Sequence, residues 1–250
     1  MTAIVGILCQ DGIVIGTDSS ATFSCTPTIR TIEQKTKKIE IIDKKIIVAG
    51  TGEVGLGQRF CNIVEDEYKN HLFKKHHILV GKTLSKKGIE DFASTHLGVG
   101  GYGAIVAYHE GNNFHLCELS PINFQPEFKK PDNDLWFVSI GGGQPITDPF
   151  LGFMRRVFWD DGLPSVVDAV FISAWTLNHA IELNTGGING PLQIATIKKN
   201  TRTGPFSATL LTEDELREHM NSVDAAEKYL RQYKEILKGE TPTEEIPDLL

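Results

Sequence analysis

The chain has 250 residues, 40% of them hydrophobic, enough to bury a full core in one large domain or two small ones. Its 25 Lys and Arg stand against 32 Asp and Glu, a net charge of −7, which argues against a general nucleic-acid binder because such a protein needs a basic footprint. No apolar run approaches the roughly 20 residues of a membrane span, the start lacks the basic region of a signal peptide, and the four scattered cysteines (Cys9, Cys25, Cys61, Cys117) form neither a C-x-x-C pair nor a disulfide framework. A soluble, cytoplasmic protein is expected, with no nucleic-acid and no membrane partner.

The opening is β. Ala3–Cys9 and Ile13–Asp18 are apolar, β-branched runs on either side of Gln10-Asp11-Gly12, and Asp-Gly between two such runs is a strong hairpin signal. Their near-continuous apolarity, rather than alternation, predicts strands buried on both faces. A polar stretch, Ser19–Lys37, precedes a second hairpin, Lys38–Ile42 and Ile46–Ala49. From Val54 the period turns helical through Leu56, Phe60, Ile63, Val64 and Leu72, and a second helix is predicted over Thr83–Leu97. Tyr102–His109 and Asn113–Leu119 read as a third hairpin, and Trp136–Ile140 as a strand running into Gly141-Gly142-Gly143. Helices follow at Pro149–Trp159 and Pro164–Leu183, with each proline suited to a first turn. Strands return at Leu192–Lys198 and Phe206–Leu211. Runs of one element type, rather than strict alternation, predict an antiparallel α+β layer architecture.

The tail differs in composition. Residues 213–250 hold 11 acidic and 5 basic side chains, which leaves the first 212 nearly neutral. Thr212, with Glu215 three residues on, predicts a capping box opening a helix to Gly239, and the Pro-containing acidic stretch 240–250 reads as disordered. The chain therefore divides into a domain over 1–211 and an acidic helix and flexible tail over 212–250.

Two G-x-G-x-x-G matches invite a dinucleotide reading. Gly98–Gly103 leads into a strand and fails at once. Gly50–Gly55 follows a strand and opens a helix, as a phosphate-binding turn does, yet no second parallel strand ends in an acid about 20 residues on. His76-His77 have no companion ligands at metal spacing and read as surface histidines. No G-x-S-x-G or catalytic-cysteine signature is present.

Residue 2 carries more. Removal of the initiator Met would free Thr2, which joins a hydroxyl nucleophile to an α-amine of pKa about 7.7–8.0 able to act as its own general base. With Asp11-Gly12 as a two-residue turn, Thr2 falls opposite Ala21 and Asp18 opposite Val5, roughly 10 Å down the ladder at about 3.4 Å per residue. A lysine between them would touch both, favour the neutral amine and stabilise an alkoxide, and Lys38 at the head of the next strand is the best placed.

These residues resemble the β-type subunits of the 20S proteasome and its bacterial relatives, within the N-terminal-nucleophile hydrolases. The resembling blocks are Thr2–Thr22, Lys37–Asp43, Val48–Gly55, Ser139–Pro145 and Asn184–Gly187, spanning Thr2 to about Leu211. The resemblance implies a four-layer αββα sandwich with two antiparallel sheets, self-assembly into stacked rings enclosing a chamber, and a peptide or protein substrate. Carried over, Thr2 matches the nucleophile, Asp18 and Lys38 the charged pair beside it, and Gly50 the residue whose backbone N–H holds the oxyanion, which also accounts for the false dinucleotide motif. Ala21 and Val48 become walls of an apolar specificity pocket.

Two departures stand out. Gly142 replaces the serine of the family's Gly-Ser-Gly, and Glu182 and Thr185 stand where the family has Asp and Ser ahead of a Gly-Gly pair. A threonine-type amide-bond hydrolase without a cofactor is therefore expected. The alternative is a ring-forming relative with little or no peptidase activity, serving as scaffold or binding compartment. The tail helix would pack outside the ring or recruit a partner, and an unfoldase is a further possible partner.

Overall fold

The computed structural model describes residues 1–24, 30–96, 99–131, 135–159, 162–183, 186–201 and 203–238. In chain order the strands are β1 (Ile4–Leu8), β2 (Ile13–Thr17), β3 (Ser20–Ser24), β4 (Arg30–Lys35), β5 (Ile39–Ile42), β6 (Ile46–Gly52), β7 (Tyr102–Glu110), β8 (Asn113–Leu119), β9 (Pro126–Phe128), β10 (Phe137–Ile140), β11 (Gln193–Lys199) and β12 (Phe206–Leu210). The helices are α1 (Val54–Lys69), α2 (His77–Phe92), α3 (Gln144–Phe158), α4 (Val166–Leu183) and α5 (Glu213–Leu237). The strands form two five-stranded sheets, β10-β1-β2-β11-β12 and β5-β6-β7-β8-β9, and a separate β3-β4 ribbon. Every ladder among the described strands is antiparallel.

Burial on both faces explains the continuous apolar runs. Along β6, Ile47 and Ala49 join the core of the first sheet, while Ile46 and Val48 lie under α1 and α2 with Leu56, Phe60, Val80 and Leu84. Successive side chains of a strand point to opposite faces, so both faces must be apolar. The two sheets meet closely: a Cβ at Gly6 would lie 3.2 Å from Leu116 and 3.4 Å from Ile105 of the second sheet. On the outer face of the first sheet α4 presses in, with Leu177 Cδ1 2.8 Å from where a Cβ at Gly16 would be. The order is helices, sheet, sheet, helices: the αββα sandwich of an α+β protein.

Several local expectations need correction. The first hairpin pairs Leu8 with Ile13 and Ile4 with Thr17, and the Cys9 N–H bonds the Gly12 carbonyl at 2.9 Å, so the turn is centred on Gln10-Asp11 rather than Asp11-Gly12. Asp11 is the second central residue of that turn, and its Oδ1 accepts the Val166 N–H at 2.8 Å and caps α4. The polar stretch after Asp18 contains the β3-β4 ribbon, and β9 is an added edge strand. α2 starts at His77, ahead of Thr83, with the His76 ring accepting the Ile78 N–H. His77 is half-buried against Phe128 and His115, at ring separations of 4.9 and 5.1 Å, rather than on the surface. α3 starts at Gln144, placing Pro145 in the first turn and Pro149 inside the helix. α4 opens after a capping box in which Ser165 and Asp168 exchange backbone-to-side-chain bonds of 3.1 and 3.2 Å.

The tail helix does open on the Thr212–Glu215 box, with the Thr212 N–H 2.8 Å from Glu215 Oε2 and the Glu215 N–H 3.3 Å from Thr212 Oγ1. It lies along α4: Val223 is fully buried, Leu216, Met220 and Ala226 pack on the first-sheet core, and Trp175 Nε1 donates to Glu227 at 3.0 Å. Residues 240–250 lie outside the described residues.

Candidate active site

Thr2 enters the first sheet just ahead of β1, and Asp18 leaves it just after β2. The turn centred on Gln10-Asp11 sets the register so that Asp18 stands opposite Ala3, one residue from Thr2 and not three. The 18 and 3 backbones bond at 3.2 Å, and Asp18 Oδ1 accepts the Ala3 N–H at 3.0 Å. Asp18 is fully buried, and its other donors are the Ser20 and Asn189 N–H groups at 3.0 and 3.4 Å and Lys38 Nζ at 2.8 Å. A carboxylate out of contact with water needs such a shell, and an ammonium partner is its strongest member.

Lys38 comes from the second sheet, at the residue before β5. Its ammonium bridges Asp18 and Thr2, with Nζ 3.1 Å from Thr2 Oγ1 and only 7% of the side chain exposed. Burial pushes the ammonium below the ordinary lysine value, against the opposing pull of Asp18. Its backbone is held too. Gln193, the first residue of β11, accepts the Lys38 N–H on Oε1 at 3.1 Å and donates from Nε2 to the Thr36 carbonyl at 2.6 Å. By register Gln193 stands beside Thr17, the neighbour of Asp18, so one amide ties both ends of the ion pair to a single ladder.

On the other side of Thr2 runs the glycine turn. The Gly143 N–H donates to the Thr2 carbonyl at 3.0 Å. Gly141 has φ +101°, and a Cβ there would fall 2.3 Å from that carbonyl oxygen, so the position excludes any side chain. Beneath the turn, the Ser139 hydroxyl bonds Asp148, Thr147 Oγ1 lies 2.8 Å from Ser139 Oγ, and Gln144 Nε2 donates to Asp148 at 2.9 Å. At Gly142 the space a side chain would take belongs to Met1, whose Cγ would lie 3.0 Å from a Cβ.

Thr2, Lys38, Gly50 and Gly142 line one cleft of about 1180 Å³, together with Ala21 and Val48. Gly50 sits near the end of β6, three residues before the N-cap of α1. Glu182 is not in this group; it is exposed on the last turn of α4 and accepts from Asn178 Nδ2 at 2.9 Å. Thr185 lies outside the described residues. Sequence reasoning missed Gln193, Asn189 and the Ser139–Thr147–Asp148 set. A lone glutamine carries no spacing signal, whereas Ser139 does open the Ser139–Pro145 block. Among the described residues no group of three or more His, Cys, Asp and Glu is arranged to hold a metal, and no helix is long and apolar enough to cross a membrane.

An αββα sandwich with a threonine, a lysine and an aspartate joined at the end of the central hairpin defines the class of N-terminal-nucleophile hydrolase folds. The particular family follows from comparison. The proteasome subunit family matches residues 2–126. A proteasome subunit beta of Methanococcus maripaludis is 36% identical over 211 residues, covering 80% of this chain and 84% of that protein. Another, of Methanocaldococcus fervens, is 24% identical over 239 residues, covering 91% and 92%. The chain belongs to the proteasome subunit family and resembles its β-type members.

Proposed function

We propose that this chain is a threonine-type amide-bond hydrolase that acts through Thr2 once Met1 is removed, in rings built from copies of itself. The observation that carries the reading is the Lys38 ammonium, 3.1 Å from Thr2 Oγ1 and pinned by a fully buried Asp18. The freed α-amine takes the hydroxyl proton, and Oγ1 attacks the substrate carbonyl. Lys38 stabilises the forming alkoxide and disfavours a second positive charge on the amine. The Gly50 N–H receives the oxyanion, the amine passes its proton to the leaving nitrogen, and water then cleaves the ester on Thr2. A cytoplasmic location, and a partner that unfolds substrate chains or binds the tail helix, belong to the same reading.

Peptide hydrolysis by the purified chain, with mass spectrometry of its N-terminus, tests this. The mature chain begins at Thr2 and cleaves peptide amides, and Thr2→Ala lowers the rate by at least about 10³-fold. Retention of Met1 in its own cells, or cleavage indifferent to Thr2→Ala, refutes it. The second reading, a ring-forming relative with little peptidase activity, draws on the absent hydroxyl at Gly142 and on Glu182 turned to Asn178. Turnover across a broad peptide library removes it.

A further inference from the structure

Tyr102 opens β7 and has no part in the chemistry above. It is 4% exposed, and its ring is locked among Phe60, Phe92 and Phe124 at centroid separations of 5.9, 5.8 and 6.2 Å. Paired with Gly52 across the ladder, it reaches back along β6 towards the cleft. A Cβ at Gly50 would fall 2.0 Å from its Oη, and one at Gly57 of α1 would fall 3.6 Å away. Two glycines therefore leave the room in which the hydroxyl sits, on the face of β6 that also carries Val48.

That hydroxyl is unusual. Buried tyrosine hydroxyls normally find a hydrogen-bond partner. No described residue bonds to this one, and it does not count among the sealed, unpaired polar atoms of the core; Tyr102 instead lines the same cleft as Thr2, Lys38 and Gly50. Burial pushes the phenol well above its ordinary value, so it is present as a neutral donor and acceptor. A rigid ring ending in an unspent hydroxyl beside Gly50 is a preorganised ligand contact.

We infer that Tyr102 is the floor of the substrate side-chain subsite beside Gly50, where it limits depth and hydrogen-bonds a small polar side chain. The favoured residue, at the position whose carbonyl faces Thr2, is then threonine-, serine- or asparagine-like. This differs from the apolar preference implied by Ala21 and Val48 alone. It rests on the reading that the cleft takes a peptide at Gly50, but not on hydrolysis itself.

Calorimetric titration of the full-length Thr2→Ala chain separates the two. The probes are N-acetyl tripeptide amides that differ only in a last residue of Thr, its isostere Val, or Phe. Thr binds about threefold to tenfold tighter than Val, as one hydrogen bond allows, and Phe binds weakest. Adding Tyr102→Phe, which keeps the locked ring and the melting temperature, abolishes the Thr-over-Val preference and leaves Val affinity unchanged. Equal affinity for Thr and Val, a preference that survives Tyr102→Phe, or no binding by any of the three overturns the inference. Hydrolysis by the unsubstituted chain is scored separately. Discrimination without hydrolysis upholds Tyr102 and removes the Thr2 chemistry, and hydrolysis without discrimination does the reverse.

Discussion

Lys38 takes its value from where its ammonium is held rather than from being a lysine. Burial lowers its proton affinity and Asp18 partly restores it, so the two effects separate by substitution. Asp18→Asn removes the restoring charge and keeps the burial, so the ammonium titrates at lower pH still. In the proposed reaction the alkaline limb of kcat/KM against pH then moves down, and kcat falls by about 10² to 10⁴. An unmoved alkaline limb would separate Lys38 from the rate. The same sign governs stability: the folded chain releases the Lys38 proton more readily than the unfolded one, so between those two values stability rises with pH. Thr2, Asp18, Lys38 and Gly50 were legible in the sequence as types and order. Gln193 was not, because its contacts with the 36 carbonyl and the 38 N–H cross 157 and 155 positions of chain.

At the scale of elements, α2 and β8 share a histidine stack that includes His77, which the sequence presented with His76 as a surface residue. His115 on β8 faces Tyr108 across the ladder at a ring separation of 4.8 Å and stacks on His77 of α2 at 5.1 Å, with His76 beyond it. Burial and these neighbouring histidines depress His115 to about 4, and its Nε2 has no hydrogen-bond partner among the described residues. The folded chain therefore binds this proton less readily than the unfolded one. Stability is complete above the ordinary histidine value near 6.5 and is lost as pH falls from there through about 4. His115→Phe fits the aromatic surroundings and recovers about 1–2 kcal/mol of the loss at pH 4–5, allowing for partial exposure. Denaturant unfolding at pH 7 and pH 4.5 reads this directly, and an equal acid loss in both chains contradicts it. The misjudged starts of α2 and α3 have local causes: a histidine ring caps one helix, and Pro145 rather than Pro149 occupies the first turn of the other.

In the whole molecule the acidic tail is less separate than its charge suggested. α5 covers α4 through Leu216, Met220, Val223 and Ala226 and accepts the Trp175 indole N–H on Glu227. Ending the chain before Glu213 exposes that face and leaves the indole without its acceptor. The expected loss is about 3–5 kcal/mol, from apolar area returned to water and a broken buried bond. Thermal unfolding of the shortened chain checks it, and an unchanged midpoint would make α5 an appendage after all.

The fold class was open to reading from the chain alone, because strands covered on both faces must be apolar throughout and amphipathic helices must show their period. Thr2, Asp18 and Lys38 were readable as a group for a related reason, as all three flank strands whose ends meet where the two sheets stack. The distance between them was not. Whether Asp18 lies one residue from Thr2 or three depends on a turn centred on Gln10-Asp11 instead of Asp11-Gly12, and Asp11 in that turn also caps a helix that begins at Val166, 155 positions away. The hydroxyl of Tyr102 beneath Gly50 has the same origin: glycines at 50 and 57 vacate a space that only the packing of β7 against β6 and α1 fills.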